Sequence, residues 1–245
     1  METHTLIQRL LTYTRRHGLY ASVRRGAVAL RRAVLSNREV LFYVDLAQVH
    51  CPRCAGKQRG GMTVERKKIE GEIDRGDLEQ IVNFWNPELC RRQMAERFRK
   101  GASLWVIKHD GRLAGYGWTL KGNTIEPHYF RLAQNDVHFF DFQVFPEYRG
   151  RGMNPILVTH ILSEVAAECG GRAFIEAAEW NHAQLASLRK TSFNRLGRAT
   201  KFTIFGRTIV CWDESERKAC GQEIELKKVP IVTGTKGSKV PDLRL

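Results

Sequence analysis

The chain has 245 residues, 42% of them hydrophobic, a composition typical of a globular protein with one sizeable domain and some appended segments. The 40 Lys and Arg residues outnumber the 26 Asp and Glu residues and give a formal net charge of +14. That charge favours an anionic partner, such as a nucleotide cofactor, a sugar nucleotide, nucleic acid or an acidic membrane surface. The sequence contains no run of 18 apolar residues, so it predicts no membrane-spanning helix.

Residues 1–36 differ in composition from the rest of the chain. They hold seven arginines against the single acid Glu2. Their apolar residues recur at steps of three to seven, a helical stripe that Gly18 and Gly26 interrupt. We expect a basic amphipathic helical arm that either lies on the anionic inner face of a membrane or packs on the domain or on the second subunit of a homodimer. An organellar transit peptide has a similar composition.

The six cysteines are scattered, and only Cys51 and Cys54 lie close together. Because no secretory signal is evident ahead of them, we expect reduced thiols and a cytoplasmic protein. A Cys-x-x-Cys pair beside His50 would need two further ligands at suitable spacing to hold zinc. The sequence therefore predicts no metal site.

The apolar residues from 40 to 46 predict a strand, and the polar, glycine-rich stretch at 55–61 predicts a linker. We divide the chain into an arm (1–36), a strand with the Cys-x-x-Cys linker (37–61), a main domain (62–212) and a lysine-rich tail (213–245) that we expect to be flexible.

The main domain alternates between strand and helix patterns. Pro87 suits the first turn of a helix, and Asp110-Gly111 is a strong hairpin turn. The pattern predicts strands at 62–69, 103–108, 112–120, 124–132, 137–145 and 172–178, helices at 77–85, 87–100 and 182–190, and a closing pair of strands at 195–197 and 201–212.

A strand, a glycine-bearing turn and a helix follow one another at 141–155. Pro146 ends the strand because proline cannot donate to a ladder. The run Arg149-Gly150-Arg151-Gly152 then opens a helix with one apolar face. Such a turn aims unpaired backbone N–H groups and the positive end of the helix dipole at one point, and its glycines let a phosphate approach closely.

The same stretch resembles the acetyl-CoA-binding signature of the GNAT N-acetyltransferase superfamily, V-x-P-x-x-R-G-x-G-[ILM]-[GA]. The matching residues run from Val144 to Met153, and Asn154 departs from the usual Gly or Ala. A second family element, N-x-x-S-x-x-x-Y-x-K-x-G-F, is similar to the run from Asn181 to Phe193, where Leu188 replaces the tyrosine that many members use to protonate the leaving thiolate. The two elements lie in the family order.

The resemblance implies an α/β (α+β) fold of the GNAT type, with a mixed central sheet splayed between the strands at 137–145 and 172–178. Acetyl-CoA would bind in that gap, and residues 62–212 would form the acyltransferase domain. The cofactor-binding residues would be Phe142, Gln143 and Val144 along the pantetheine arm, Arg149, Gly150, Arg151, Gly152, Met153 and Asn154 around the pyrophosphate, and Asn181 near the thioester.

An amine acceptor must lose a proton to attack the thioester, so the site needs a base. Asp141 is the first candidate, followed by Glu176 and Glu179, and His138 is a further possibility. With Leu188 in the position of the usual acid, the thiolate either leaves into solvent or takes a proton from another residue such as His182.

The acceptor is weakly specified by the sequence. Aromatic and polar residues on flanking strands suit a ring-bearing acceptor: Tyr116, Trp118, His128, Tyr129 and Phe130. With a loose resemblance of residues 181–199 to bacterial GNAT proteins of surface-polysaccharide synthesis, they favour an amino sugar or sugar nucleotide. The alternatives are a peptide or protein amine and a catalytically degenerate GNAT fold that binds RNA or a membrane surface. Our main hypothesis expects no nucleic-acid partner.

Overall fold

The structure, a computed structural model, describes residues 38–49, 61–126, 128–168, 170–204 and 207–213. Predictions for the arm, for Cys51 and Cys54, for the linker and for nearly all of the tail fall outside these residues. The described residues form one eight-stranded sheet in the order β2-β3-β4-β5-β6-β1-β7-β8. All neighbouring strands are antiparallel except β5 and β6, which are parallel.

The strands are β1 (Arg38–Asp45), β2 (Met62–Lys67), β3 (Ser103–His109), β4 (Arg112–Lys121), β5 (Val137–Val144), β6 (Arg172–Ala178), β7 (Asn194–Ile204) and β8 (Arg207–Trp212). The helices are α1 (Arg75–Asn83), α2 (Pro87–Arg99), α3 (Met153–Glu168) and α4 (His182–Leu188). Most of these bounds agree with the predicted elements to within a few residues. None of the helices in these segments is long and apolar enough to cross a membrane.

Two layers of helices cover the sheet, because its central strands are apolar on both sides. On β3, Leu104 and Val106 pack against α1 and α2, whereas Trp105 and Ile107 pack against α3. The apolar face of α3 is fully buried there, at Met153, Leu157, Val158, Ile161, Leu162 and Val165. Burial of this kind is the main source of stability for an amphipathic helix.

Local signals set the boundaries of several elements. Asn86 caps α2 by accepting a hydrogen bond from the backbone N–H of Leu89, and Pro87 occupies the first turn. Asp110 and Gly111 both have positive φ, 50° and 74°, as the tight turn between β3 and β4 requires. The predicted hairpin is therefore confirmed.

The predicted strand at 124–132 is wrong. Among residues 122–126 and 128–136 the chain forms no strand, and β4 pairs directly with β5. Pro127 cannot donate to a ladder. The segment instead contributes Tyr129, Phe130 and Leu132 to an apolar cluster with Leu41 and Phe174, on the sheet face opposite α3.

The first strand is integral to the sheet. The predicted boundary at residue 62 leaves β1 outside the main domain, but β1 lies between β6 and β7 and pairs with both. Its side chains alternate between two cores, since Val40, Phe42 and Val44 face α3 while Leu41 faces away from it. The sheet would thus be interrupted without the residues that precede the proposed boundary.

Candidate active site

The sheet opens between β5 and β6. The two strands pair over only three positions, the last of which joins Phe139 to Ile175. Beyond that point, residues 140–144 keep β4 on one edge, and no strand among the described residues pairs with the other. The predicted splay is therefore confirmed, and it leaves a strand edge that a ligand can pair with.

A β-bulge at Asp141 shapes the exposed edge. Asp141 is a non-glycine residue with φ of +52°, and the register between β4 and β5 shifts there. The bulge turns Phe142 to the α3 face, where its ring stacks on Phe139 with centroids 6.2 Å apart. Gly117 lies against this ring, and a Cβ added at Gly117 would come within 2.4 Å of it.

The turn after β5 has the geometry of an anion-binding site. Pro146–Tyr148 form a short 3-10 turn, and Gly150 and Gly152 then adopt φ of 78° and 75° before α3 begins at Met153. Around both glycines the space next to Cα is open. The backbone N–H groups from 150 to 154 donate to no acceptor among the residues that the structure describes. Alternating glycines at a helix start present such groups to one anion.

The flanking side chains of the turn have structural partners. The Arg149 Nε donates to the Val144 carbonyl oxygen at 3.1 Å, which fixes the turn to the end of β5. The Arg151 guanidinium lies 5.8 Å from the centre of the Tyr148 ring. Asn154 directs its amide away from the turn and donates to the Ser187 hydroxyl at 2.9 Å, so its side chain does not crowd a phosphate there.

Asn181 and Leu188 lie at the two ends of α4. The Asn181 Oδ1 accepts a hydrogen bond from the backbone N–H of Gln184, so this side chain caps the helix. Leu188 is fully buried in the core beneath α3. The side chain in the position of the family tyrosine is thus a packing residue.

Two of the predicted bases are held in ion pairs. Asp141 pairs with Arg97 of α2, whose guanidinium also lies over the rings of Trp118 and Phe140. Glu179 accepts a hydrogen bond from Arg198 at 2.8 Å and lies 3.7 Å from Arg38. Both carboxylates are therefore already partnered by arginine side chains.

Glu176 has a different environment, because it lies against two histidines. The His138 Nε2 is 2.9 and 3.0 Å from the two carboxylate oxygens, and the His128 Nε2 is 3.5 Å from one of them. Burial opposes the charged carboxylate, but the two imidazoles outweigh it and hold the pKa of Glu176 below its usual range. Glu176 is 22% exposed at its side chain, whereas His138 is 7% exposed.

The side chains of His138 and Glu176 project from the sheet face opposite α3. His138 comes one residue before, and Glu176 one residue after, the last paired position of their strands, Phe139–Ile175. Val137 and Phe139 face α3, so His138 faces away, and the same holds for Glu176 between Ile175 and Ala177. Sequence reasoning named both residues but did not bring them together. The signal that predicts their proximity is the parallel register of β5 and β6, which a single sequence does not fix.

The aromatic residues predicted to line the acceptor cleft belong to the core. Tyr116, Trp118, Tyr129 and Phe130 are each no more than 9% exposed. A groove with both polar and apolar lining is found instead between α1 and the end of β5, at Glu79, Gln80, Asn83, Phe84, Phe145, Pro146 and Glu147. Trp85, 61% exposed, packs edge-on against Phe84 beside it. Sequence reasoning missed this groove because its residues are far apart along the chain.

The model of the acetyltransferase (GNAT) family matches residues 72–193, from just before α1 through the splay, the glycine turn and α4. The chain belongs to this family of N-acetyltransferases, and its mixed sheet is of the GNAT type. A search of curated proteins finds no match.

Several solved structures are similar to the chain. A GNAT-family protein from Novosphingobium aromaticivorans is 16% identical over 66% of this chain and 61% of its own, with a TM-score of 0.43. A tandem GNAT protein of the clavulanic acid biosynthesis pathway is 20% identical over 66% of this chain and 51% of its own, with a TM-score of 0.48. A GNAT-family acetyltransferase from Colwellia psychrerythraea is 13% identical over 71% and 55%, with a TM-score of 0.45. The chain thus spans about three fifths of the length of the first of these structures.

Proposed function

We propose that the protein transfers an acetyl group from acetyl-CoA to the amine of a small acceptor, most simply an amino sugar or a sugar nucleotide. The observation that carries this proposal is the turn with unpaired N–H groups at Gly150 and Gly152, placed directly after the unpaired edge of β5. A pyrophosphate on the turn would bring a pantetheine arm alongside residues 140–144, where it would complete the missing strand edge.

Donor and acceptor would approach the opening from opposite faces of the sheet. The phosphate turn starts α3, which packs on one face, whereas Glu176, His138 and the groove beside α1 lie on the other. Carboxylates, amides and an exposed indole are suitable groups for a hydroxylated, cationic ring. Phe145 at the groove is seven residues from His138, roughly 20 Å at about 3.3 Å per residue. We therefore infer that the groove next to Glu79 and Trp85 takes the far part of an extended acceptor such as a sugar nucleotide.

The chemistry needs one proton acceptor. The amine nitrogen attacks the thioester carbon, the carbon–sulfur bond breaks, and the thiolate leaves with the electron pair of that bond. Glu176 is the partly exposed member of its pair, so it would hold the acceptor amine, and the proton released by the amine passes to the Glu176–His138 pair. The imidazolium that forms is stabilised by the carboxylate 2.9 Å away. Because Leu188 is buried, the thiolate takes its proton from solvent.

The cofactor site is tested by calorimetric titration of acetyl-CoA into the wild type and a Gly152→Asp variant. Micromolar binding that the variant loses supports the proposal, since the new carboxylate repels a phosphate. The matched control is Gly101→Asp, because Gly101 has a similar φ of 83° and equally open space but lies at the end of α2. Absence of acetyl-CoA binding by the wild type would overturn the proposal.

The acceptor is tested by a thiol-release assay across amino sugars, sugar nucleotides, peptides and protein amines. Turnover with a peptide amine and with none of the sugars would overturn the proposed sugar acceptor and support a peptide or protein amine instead. From sequence alone we further propose a cytoplasmic protein of surface-polysaccharide synthesis whose residues 1–36 contact anionic lipid. Co-sedimentation of the full chain, but not of a chain lacking residues 1–36, with phosphatidylserine vesicles is the expected result.

A further inference from the structure

His128, His138 and Glu176 form a compact cluster on the sheet face opposite α3. Each residue has a nitrogen or oxygen donor atom within 4.8 Å of those of the other two. The shortest separations join the His138 Nε2 to the carboxylate at 2.9 Å and the His128 Nε2 to it at 3.5 Å. Two imidazoles and a carboxylate are a donor set that late first-row divalent cations bind well.

The proposed proton transfer does not account for His128. Its side chain is only 4% exposed, and neither ring nitrogen makes a hydrogen bond with any residue that the structure describes. A polar group buried in this way normally has a partner. The ring stands edge-on to His138, with centroids 4.8 Å apart, and its Nε2 is directed at Glu176. Nε2 approaches Glu176 only to 3.5 Å, and a cation held between the two would give both atoms a direct bond.

We propose that His128, His138 and Glu176 bind a divalent transition-metal ion of the zinc class. Tetrahedral zinc with bonds of about 2.0–2.2 Å places its ligand atoms roughly 3.4 Å apart. The two separations that Glu176 makes are 2.9 and 3.5 Å, and the widest in the cluster, within 4.8 Å, would shorten on binding. The ion displaces the proton that the Glu176–His138 pair would otherwise take up. On the basis of the proposed acetyl transfer, zinc and catalysis therefore compete for this pair, and zinc inhibits the reaction.

The first experiment titrates Co²⁺ into the full chain and records its visible ligand-field absorption. It uses a Cys51→Ser, Cys54→Ser background, so that the Cys-x-x-Cys pair beside His50 contributes no thiolate ligands. We expect one equivalent of bound Co²⁺, which Zn²⁺ displaces. Absence of binding would overturn the proposal, and it would do so whether or not the same preparation binds acetyl-CoA.

The second experiment compares His128→Gln with His109→Gln, an alteration of a histidine outside the cluster. His128→Gln should weaken Co²⁺ binding by at least about 10-fold, because loss of even an outer-shell partner costs about 10- to 100-fold in metal affinity. His109→Gln should bind like the parent. Equal affinity in the two variants would overturn the assignment, and a circular dichroism spectrum and melting curve like those of the parent show that His128→Gln is folded.

The inhibition is measured by acetyl transfer with and without added Zn²⁺. His128→Gln keeps Glu176 and His138, so the variant should be able to turn over, and added Zn²⁺ should leave its own metal-free rate unchanged while it inhibits the parent. Equal inhibition of the variant and the parent by Zn²⁺ would overturn the proposal that zinc competes with proton transfer for the Glu176–His138 pair. If acetyl-CoA does not bind but Co²⁺ does, the proposed transfer fails and the metal site stands.

Discussion

A methyl group at Gly117 should disturb both the packing of the Phe142 ring and the edge at residues 140–144, along which the cofactor is proposed to lie. A Cβ built there lies 2.4, 2.5 and 2.8 Å from three atoms of the Phe142 ring, distances at which the ring must move. The ring is stacked on Phe139 at 6.2 Å and cannot withdraw without disturbing the core beneath α3. Overpacking of this kind costs about 1–3 kcal/mol, and the gain from replacing a glycine in a strand offsets only about 0.5–1 kcal/mol.

We therefore expect Gly117→Ala to lose about 1–2 kcal/mol, which corresponds to a Tm lower by roughly 2–8 °C for a domain of this size. Acetyl-CoA should bind more weakly, because Phe142 lies in the bulge that shapes the edge of residues 140–144. Circular dichroism melting and calorimetry measure the two effects.

The matched control is Gly197→Ala in β7, where the nearest atoms to an added Cβ belong to Trp212 at 3.7 and 3.8 Å, an ordinary contact. This variant should melt at or slightly above the wild type. Adding Phe142→Leu to Gly117→Ala should recover part of the lost stability, because the rigid ring is gone. A Gly117→Ala protein that melts like the Gly197→Ala protein would refute the reasoning.

Three other predictions concern the proposed base, a buried ion pair and the acceptor groove. Glu176→Gln should lower kcat by about 10² or more with acetyl-CoA affinity retained. Because the folded Glu176 carboxylate has a lowered pKa, the stability it contributes is present above about pH 4.3 and is lost as the pH falls toward the folded pKa. Urea unfolding of the variant should therefore depend less on pH in that range than unfolding of the wild type. Asp136→Asn should cost about 1–3 kcal/mol in urea unfolding, since the buried carboxylate accepts from the Ala133 N–H and from Arg172; an unchanged midpoint would contradict this. Trp85→Ala should raise KM for the acceptor, whereas Trp180→Ala, 64% exposed against 61% for Trp85, should leave that KM unchanged; an equal effect of the two variants on KM would contradict the placement of the acceptor.

Elements with strong local signals were predictable from the sequence. The apolar face of α3, the Asp110-Gly111 turn and the proline start of α2 depend on residues within a few positions of one another. The glycine turn at Gly150 and Gly152 is of the same kind, because positive φ and free N–H groups are properties of a few consecutive residues. These features therefore appear in the structure where the pattern placed them.

Features that depend on distant residues were not predictable. The position of β1 between β6 and β7 is set by which apolar faces fit together, and strand alternation carries no information on that choice. The bulge at Asp141 is a second example, since an aspartate with positive φ interrupts a pattern that otherwise reads as a regular strand. The ion pairs of Asp141 with Arg97 and of Glu179 with Arg198 likewise join elements that a sequence alone does not align.

The placement of β1 also constrains the order in which the chain folds. Ribosomal synthesis delivers β1 before its partners, and Leu41 pairs with Glu176 and with Gly197, which emerge only after most of the main domain has been made. Until then both edges of an apolar strand are unpaired, a condition that favours aggregation. Contacts so distant in sequence also slow folding. We expect completion of the β6-β1-β7 group to be a late step of folding, with the half built from β2 to β5 able to form earlier.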